Sequence, residues 1–203
     1  MAKQNRFGQA TPFDKDTFKK VRDSFKNDSH RLIFCIGWYT TERWGAILQL
    51  QIEHCYDERG QPRRSITIPG SIRKDGETRD VPVTKALARE LKAYRSHLEA
   101  QYRKIGVQAL PNDWLFPSLV VPGEHLSFRA ADRALRRALK RCDLHNLGYS
   151  THSTRRGSIT EMAKAGLAVP VIKSLTGHRS LASLGRYIDV TEHQRSHALS
   201  VLE

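Results

Sequence analysis

Ser150-Thr151-His152-Ser153-Thr154-Arg155, then Leu175-Thr176-Gly177-His178, then Tyr187 nine residues further on: the reading of this chain turns on these three pieces. Ser150 and Thr151 are both good helix caps, and a helix begun there is expected to run to Gly166. It would place His152 and Arg155 three apart on one face of its first turn, beside the anion-attracting amides of a helix N-terminus. Pro170 opens a shorter helix that Gly177 stops, leaving His178 where it can project into a cleft. Ser180 caps another helix reaching toward Tyr187. Thr191-Glu192-His193-Gln194 is a capping box for a final helix carrying Ala198, Leu199 and Leu202.

Each of these polar residues taken alone could serve as a helix cap or as half of an ion pair. As a set they have the components for breaking and remaking a phosphodiester. A five-coordinate phosphorus carries extra negative charge on its equatorial oxygens, so fixed cationic donors are required, and arginine suits the task because its planar fork grips two oxygens and stays charged. A nucleophile and a proton donor for the departing alkoxide complete the requirement.

The order His-x-x-Arg, Leu-x-Gly-His, Tyr resembles the C-terminal signature of the tyrosine recombinase (phage integrase) family. The likeness extends upstream. Thr40-Thr41-Glu42-Arg43-Trp44-Gly45-Ala46-Ile47-Leu48-Gln49-Leu50 is similar to that family's first arginine box, and Lys74-Asp75-Gly76-Glu77-Thr78-Arg79-Asp80-Val81-Pro82-Val83 to its β-hairpin segment, with Lys74 at the tip. The resemblance implies a catalytic set of Arg43, Lys74, His152, Arg155, His178 and Tyr187. Tyr187 would attack the scissile phosphate to give a 3′-phosphotyrosyl link. Arg43, Arg155 and His178 would hold the non-bridging oxygens, Lys74 would protonate the 5′-oxygen, and His152 would assist proton handling at the nucleophile. The implied partners are duplex DNA and further recombinase protomers in a synaptic tetramer, with no cofactor, metal or ATP. Two positions depart from the family pattern: Arg156 stands where histidine is usual, and Ala46 where glutamate is usual.

Bulk composition agrees with a polyanionic partner. The 203 residues contain 34 Lys and Arg against 21 Asp and Glu, a formal charge of +13, and neutralising phosphates releases condensed counterions. Cys35, Cys55 and Cys142 form neither a disulfide framework nor a paired zinc-ligand pattern. No apolar run approaches the roughly 18–20 residues a membrane span requires. The N-terminus lacks an apolar signal segment, so the expected location is cytoplasmic and nucleoid-associated.

Residues 1–12 have no apolar periodicity and are expected to be a flexible arm, with the catalytic domain over residues 13–203 and no N-terminal core-binding domain. The implied alternatives are an excised domain or a short relative resembling the fimbrial-switch invertases. Within residues 13–203 the expected fold is mainly α with a small antiparallel β-sheet (α+β), the tyrosine recombinase catalytic-domain fold. Helices are expected from Asp14 with Phe18, Val21 and Phe25 inward, over 30–39, and from Thr41 with Ala46, Ile47 and Leu50 inward. Short strands are expected at 52–56, 65–68 and 78–83, with Asp75-Gly76 as a tight hairpin. Thr84 caps a long helix with Leu87, Leu91, Tyr94 and Leu98 as its stripe. Trp114, Leu115 and Phe116 plug the core from the loop 111–122.

A helix over 127–142 should bury Phe128, Ala131, Leu135, Ala138, Leu139 and Cys142. Its other face carries Arg129, Arg133, Arg136, Arg137 and Lys140, interrupted by Asp132 alone. With Arg156, these are the candidate DNA contacts; the plainer reading of such a stripe is a solvated face. For the whole chain two functions compete: a DNA strand transferase, and a DNA-binding module of the same fold with little catalysis. A metal-dependent nuclease would need clustered carboxylates, whereas Asp75, Asp80, Asp113 and Asp143 are scattered.

Overall fold

A computed structural model of the chain describes residues 8–178, 180, 184–185 and 199–200. Its centre is helix α2, Asp28–Tyr39, capped by the Asn27 side chain. Leu32, Ile33, Phe34, Cys35, Ile36 and Trp38 are all buried. A helix apolar on most of its circumference must be wrapped by others, and α2 touches five of them. These are α1 (Lys15–Ser24), α3 (Trp44–Ile47), α4 (Lys85–Lys104), α5 (Phe128–Arg141) and α6 (Ser153–Lys164). Helix α7, Val169–Thr176, follows α6.

Local chemistry starts these helices where the sequence indicates. The Asp14 carboxylate accepts from the Thr17 N–H at 2.7 Å, Thr84 from Leu87 at 3.2 Å, and Ser127 from Ala130 at 3.2 Å. The Leu87, Leu91, Tyr94 and Leu98 stripe of α4 is buried, as are Leu115 and Phe116 of the plug. Strands β1 (Ser65–Ile68) and β2 (Arg79–Pro82) pair antiparallel, Ile66 opposite Val81 and Ile68 opposite Arg79. Ile66, Ile68 and Val81 are buried, so a mainly helical fold with a small antiparallel sheet is what forms. No helix among the described residues is long and apolar enough to cross a membrane.

Five local expectations are corrected. Residues 52–56 are not a strand: Ile52–His54 is a 3-10 turn with reciprocal capping between Gln51 and His54. Its amides are taken by the plug loop, Ile52 donating to Asp113 O at 2.9 Å and Glu53 to Pro111 O at 2.8 Å. The connection between β1 and β2 is no two-residue hairpin; it contains a 3-10 turn at Gly70–Ile72. Gly70 donates to Thr78 Oγ1 at 3.0 Å, and a Cβ there would strike the Gly76 carbonyl. Helix α3 starts at Trp44 rather than Thr41, because Thr41 has φ +59°, outside the helical region. Helix α6 starts at Ser153, after a turn closed by Ser153 N–H to Ser150 O at 2.9 Å. Phe128 is 46% exposed rather than inward; it is the first residue of α5, and the buried stripe begins at Ala131.

Residues 8–12 of the expected arm run beside the turn before α6. Thr11 N–H donates to Gly148 O at 3.2 Å, and Ala10 is buried. Helix α6 then seats closely on this segment and on α2. A Cβ on Gly157 would strike the Phe13 carbonyl and lie 2.7 Å from the Trp38 ring, whereas one on Gly45 would meet nothing within 4 Å. Gly157→Ala is therefore expected to destabilise the fold by about 1–3 kcal/mol through overpacking. Gly45→Ala should stay within roughly 0.5 kcal/mol of the native chain or stabilise it slightly. Urea melts of the two variants check this; equal midpoints would show that α6 does not need the close approach.

Candidate active site

Arg155 lies in the first turn of α6 and is only 4% exposed. A buried guanidinium must find acceptors. Its Nη1 donates to Thr41 O at 2.6 Å and its Nη2 to Thr176 O at 2.9 Å. The two carbonyls belong to segments before Arg43 and before His178. A second tie runs parallel, from Trp44 Nε1 to Thr154 Oγ1 at 3.3 Å. Thr41 is held at φ +59°, costly for a β-branched residue. Strain of this kind survives only where surrounding contacts determine it, and Thr41 makes two: the carbonyl to Arg155, and its hydroxyl to Leu175 O at 3.3 Å.

Gly177 ends α7 in the left-handed conformation, φ +66°, and so turns His178 back toward α6. The imidazole is buried, with Nδ1 2.7 Å from Thr176 Oγ1. Arg155 Nη2 is nearly equidistant from the two ring nitrogens, at 3.2 and 3.4 Å. Burial, followed by the charges of Arg155, Arg43 and Arg79, pushes the His178 pKa down to about 4. The ring is neutral at pH 7 and can donate only one hydrogen bond. Arg43, half-buried at the start of α3, lies close enough for its charge to act on that ring.

Beneath these groups sits a carboxylate that sequence reasoning did not single out. Glu42 is 1% exposed. Its Oε1 accepts from the Arg43 backbone N–H at 2.8 Å; its Oε2 accepts from Arg73 Nε at 3.0 Å and Arg79 Nη2 at 2.9 Å. Arg73 also donates to Asp75 Oδ2 at 2.8 Å and to the Glu77 carbonyl at 2.5 Å. Arg79 donates to Leu175 O at 2.5 Å and Thr40 O at 3.1 Å. Burial lowers the Arg79 pKa, against the opposing pull of Glu42. The available signal was an acid inside the apolar segment 40–50, which burial obliges to be paired.

The structure thus brings Arg43, Arg155 and His178 together. Lys74 is exposed beside buried Arg73, on the connection between β1 and β2. His152 is exposed at the cap of α6, three residues before buried Arg155. It lines a groove of about 910 Å³ with Phe128, Arg129, Arg133 and Arg136 of α5. Arg137 and Lys140 are exposed on the same helix, and Arg136 pairs with Asp132 at 2.8 Å. Arg156 is half-buried and donates to Gln9 Oε1 at 2.5 Å. Tyr187 lies outside the described residues, as does the capping box at 191–194. Among the described residues, no group of three or more His, Cys, Asp or Glu could hold a metal ion.

A profile of the phage integrase family matches residues 15–194. No curated protein matches this sequence closely enough to count as a relative. Among solved structures, XerA recombinase superposes with a TM-score of 0.71 at 18% identity, over 97% of this chain and 66% of that one. XerH recombinase, bound to its difH substrate in a pre-cleavage complex, gives 0.71 at 19%, over 98% and 56%. The Tn1549 transposon integrase, in complex with a circular intermediate DNA, gives 0.73 at 12%, over 97% and 67%. The likeness is one of fold, and this chain spans between 56% and 67% of the length of these three.

The depressed His178 pKa has a consequence for stability. Between the ordinary value of 6.5 and about 4, the unfolded chain binds a proton at this residue and the native one does not. Stability therefore rises with pH across that window and falls on acidification through it. Urea midpoints measured at pH 7 and pH 4.5 should differ less in His178→Gln than in the native chain. An unchanged difference would mean that the imidazole is not held neutral.

Proposed function

The chain belongs to the phage integrase family, and on that premise we propose that it is the strand-transferring domain of a site-specific DNA recombinase. The observation that carries this reading is the placement of Arg155, its guanidinium held by the carbonyls of Thr41 and Thr176 with His178 against it. The family match includes position 187, so the nucleophile of the proposal falls within the matched segment.

In the proposed reaction the Tyr187 oxygen attacks the scissile phosphorus. The P–O5′ bond breaks, leaving a 3′-phosphotyrosyl link and a 5′-hydroxyl. Arg43 and Arg155 hold the non-bridging oxygens, and neutral His178 donates a hydrogen bond rather than a charge. Lys74 supplies the proton to O5′ from an exposed connection that can close over bound DNA. His152 assists transfer of the phenol proton. One phosphodiester replaces another, so the proposed cycle requires neither ATP nor a metal.

Charge balance supports a phosphate ligand. Arg43, Arg73, Arg79 and Arg155 lie around the acids Glu42 and Asp75, an excess of two positive charges (four minus two) before DNA arrives. The α5 groove extends this basic surface past His152 and is proposed to track the DNA backbone. XerH and the Tn1549 integrase are seen in complexes with DNA, and lambda integrase as a dimer on a core site. The proposed partners here are likewise duplex DNA and further protomers, joined in a synaptic tetramer. The proposed location is the cytoplasm, at the nucleoid.

Incubation with a nicked suicide duplex should trap a covalent protein–DNA adduct that survives denaturation, also in the presence of chelator. Tyr187→Phe should bind equally and form none. Binding by the native chain without an adduct would instead mark it as a DNA-binding module with little catalysis. A second expectation concerns α5. Arg133→Ala should weaken binding to all sequences alike. It should also reduce the slope of log affinity against log salt by about 0.9, the amount expected when one phosphate is no longer neutralised. An unchanged slope would return that face to plain solvent.

A further inference from the structure

Two regions distant in sequence meet on the Glu42 carboxylate: the residues entering α3, and the run that supplies Arg73 from the β1–β2 connection and Arg79 from β2. A buried carboxylate is tolerated only when every lone pair it turns inward is answered, so the three positions are not independent. Arg73 spends its whole fork on this arrangement, with Nε on Glu42, Nη2 on Asp75 and Nη1 on the Glu77 carbonyl. It clamps both sides of Lys74, which follows it directly in the chain. The same guanidinium abuts the glycine beside His178, since a Cβ on Gly177 would lie 2.5 Å from Arg73 Nη2. Arg79 runs from Glu42 to Leu175 O, and so ties the end of α7 to the same centre.

Resting on the recombinase reading above, we propose that Glu42 is a positioning residue for strand cleavage, acting through Arg73 to set the connection that carries Lys74. Glu42 touches no substrate in this account. It determines where the Lys74 ammonium stands when its proton passes to O5′ as the P–O5′ bond breaks. In Glu42→Gln an amide nitrogen can replace the oxygen that faces Arg73 and Arg79, setting donor against donor. The shape is kept and the clamp is released.

The test is single-turnover cleavage of two nicked duplexes, one with an ordinary scissile phosphate and one with sulfur in place of the 5′-bridging oxygen, whose departure needs no acid. Glu42→Gln is expected to slow cleavage of the ordinary duplex by about tenfold or more, a fraction of what a general acid contributes, and to leave DNA affinity unchanged. On the sulfur duplex the deficit should largely vanish. Unimpaired cleavage, or equal slowing on both duplexes, overturns the proposal while leaving the recombinase reading intact. Absence of any adduct with the native chain overturns both. If Glu42→Gln fails to fold, Arg73→Lys decides, since a compact ammonium lacks the planar fork that reaches Glu42, Asp75 and the Glu77 carbonyl from three separate nitrogens; the same selective deficit is expected. Failure of both variants to fold would assign the network to stability alone and reject the positioning role.

Discussion

A guanidinium withdrawn from water is the constraint around which this molecule is organised. Arg155 can be buried in α6 only if carbonyl oxygens are delivered to it, and the chain delivers those of Thr41 and Thr176. The first lies 114 residues away and the second 21, yet each immediately flanks a segment carrying another proposed site residue. Satisfying one arginine therefore brings the start of α3 and the end of α7 to the same place. The left-handed Thr41 and Gly177 are the local distortions this convergence requires.

The second organising charge is negative. Without Glu42, the guanidiniums of Arg73 and Arg79 would be packed near those of Arg43 and Arg155 with little to offset their repulsion. One carboxylate balances part of that charge and leaves an excess facing outward. The surplus suits a ligand bearing fixed negative charge and suits few others. The same surroundings keep His178 neutral, so cations and a hydrogen-bond donor are offered side by side. The α5 arginines add a shallower, solvated version of the same field. Buried pairs resist screening by salt and exposed ones do not, which separates a site that orients from a face that attracts.

The expectations that failed share a cause. The strand expected at 52–56 has the right residue types, but its amides are claimed by carbonyls at 111 and 113. The Asp75-Gly76 pair does form a turn, yet Gly70 and Thr78 close a longer loop around it. Phe128 fits the periodicity of α5, but the core does not extend under the first turn of that helix. In each case a distant partner or the edge of the core overrode a correct local preference.

What the sequence determined alone was everything set by near neighbours. Caps at Asp14, Thr84 and Ser127, the buried stripes of α2 and α4, the stop at Gly177 and the identities of the charged residues all depend on spacings of a few positions. Tertiary structure alone decided which charges face one another. That Glu42 binds Arg73 and Arg79, that Thr41 turns its carbonyl to Arg155, and that Arg73 rather than Lys74 is buried follow from segments meeting across the fold. Burial makes an ion choose its partner by position in space, and no local pattern carries that information.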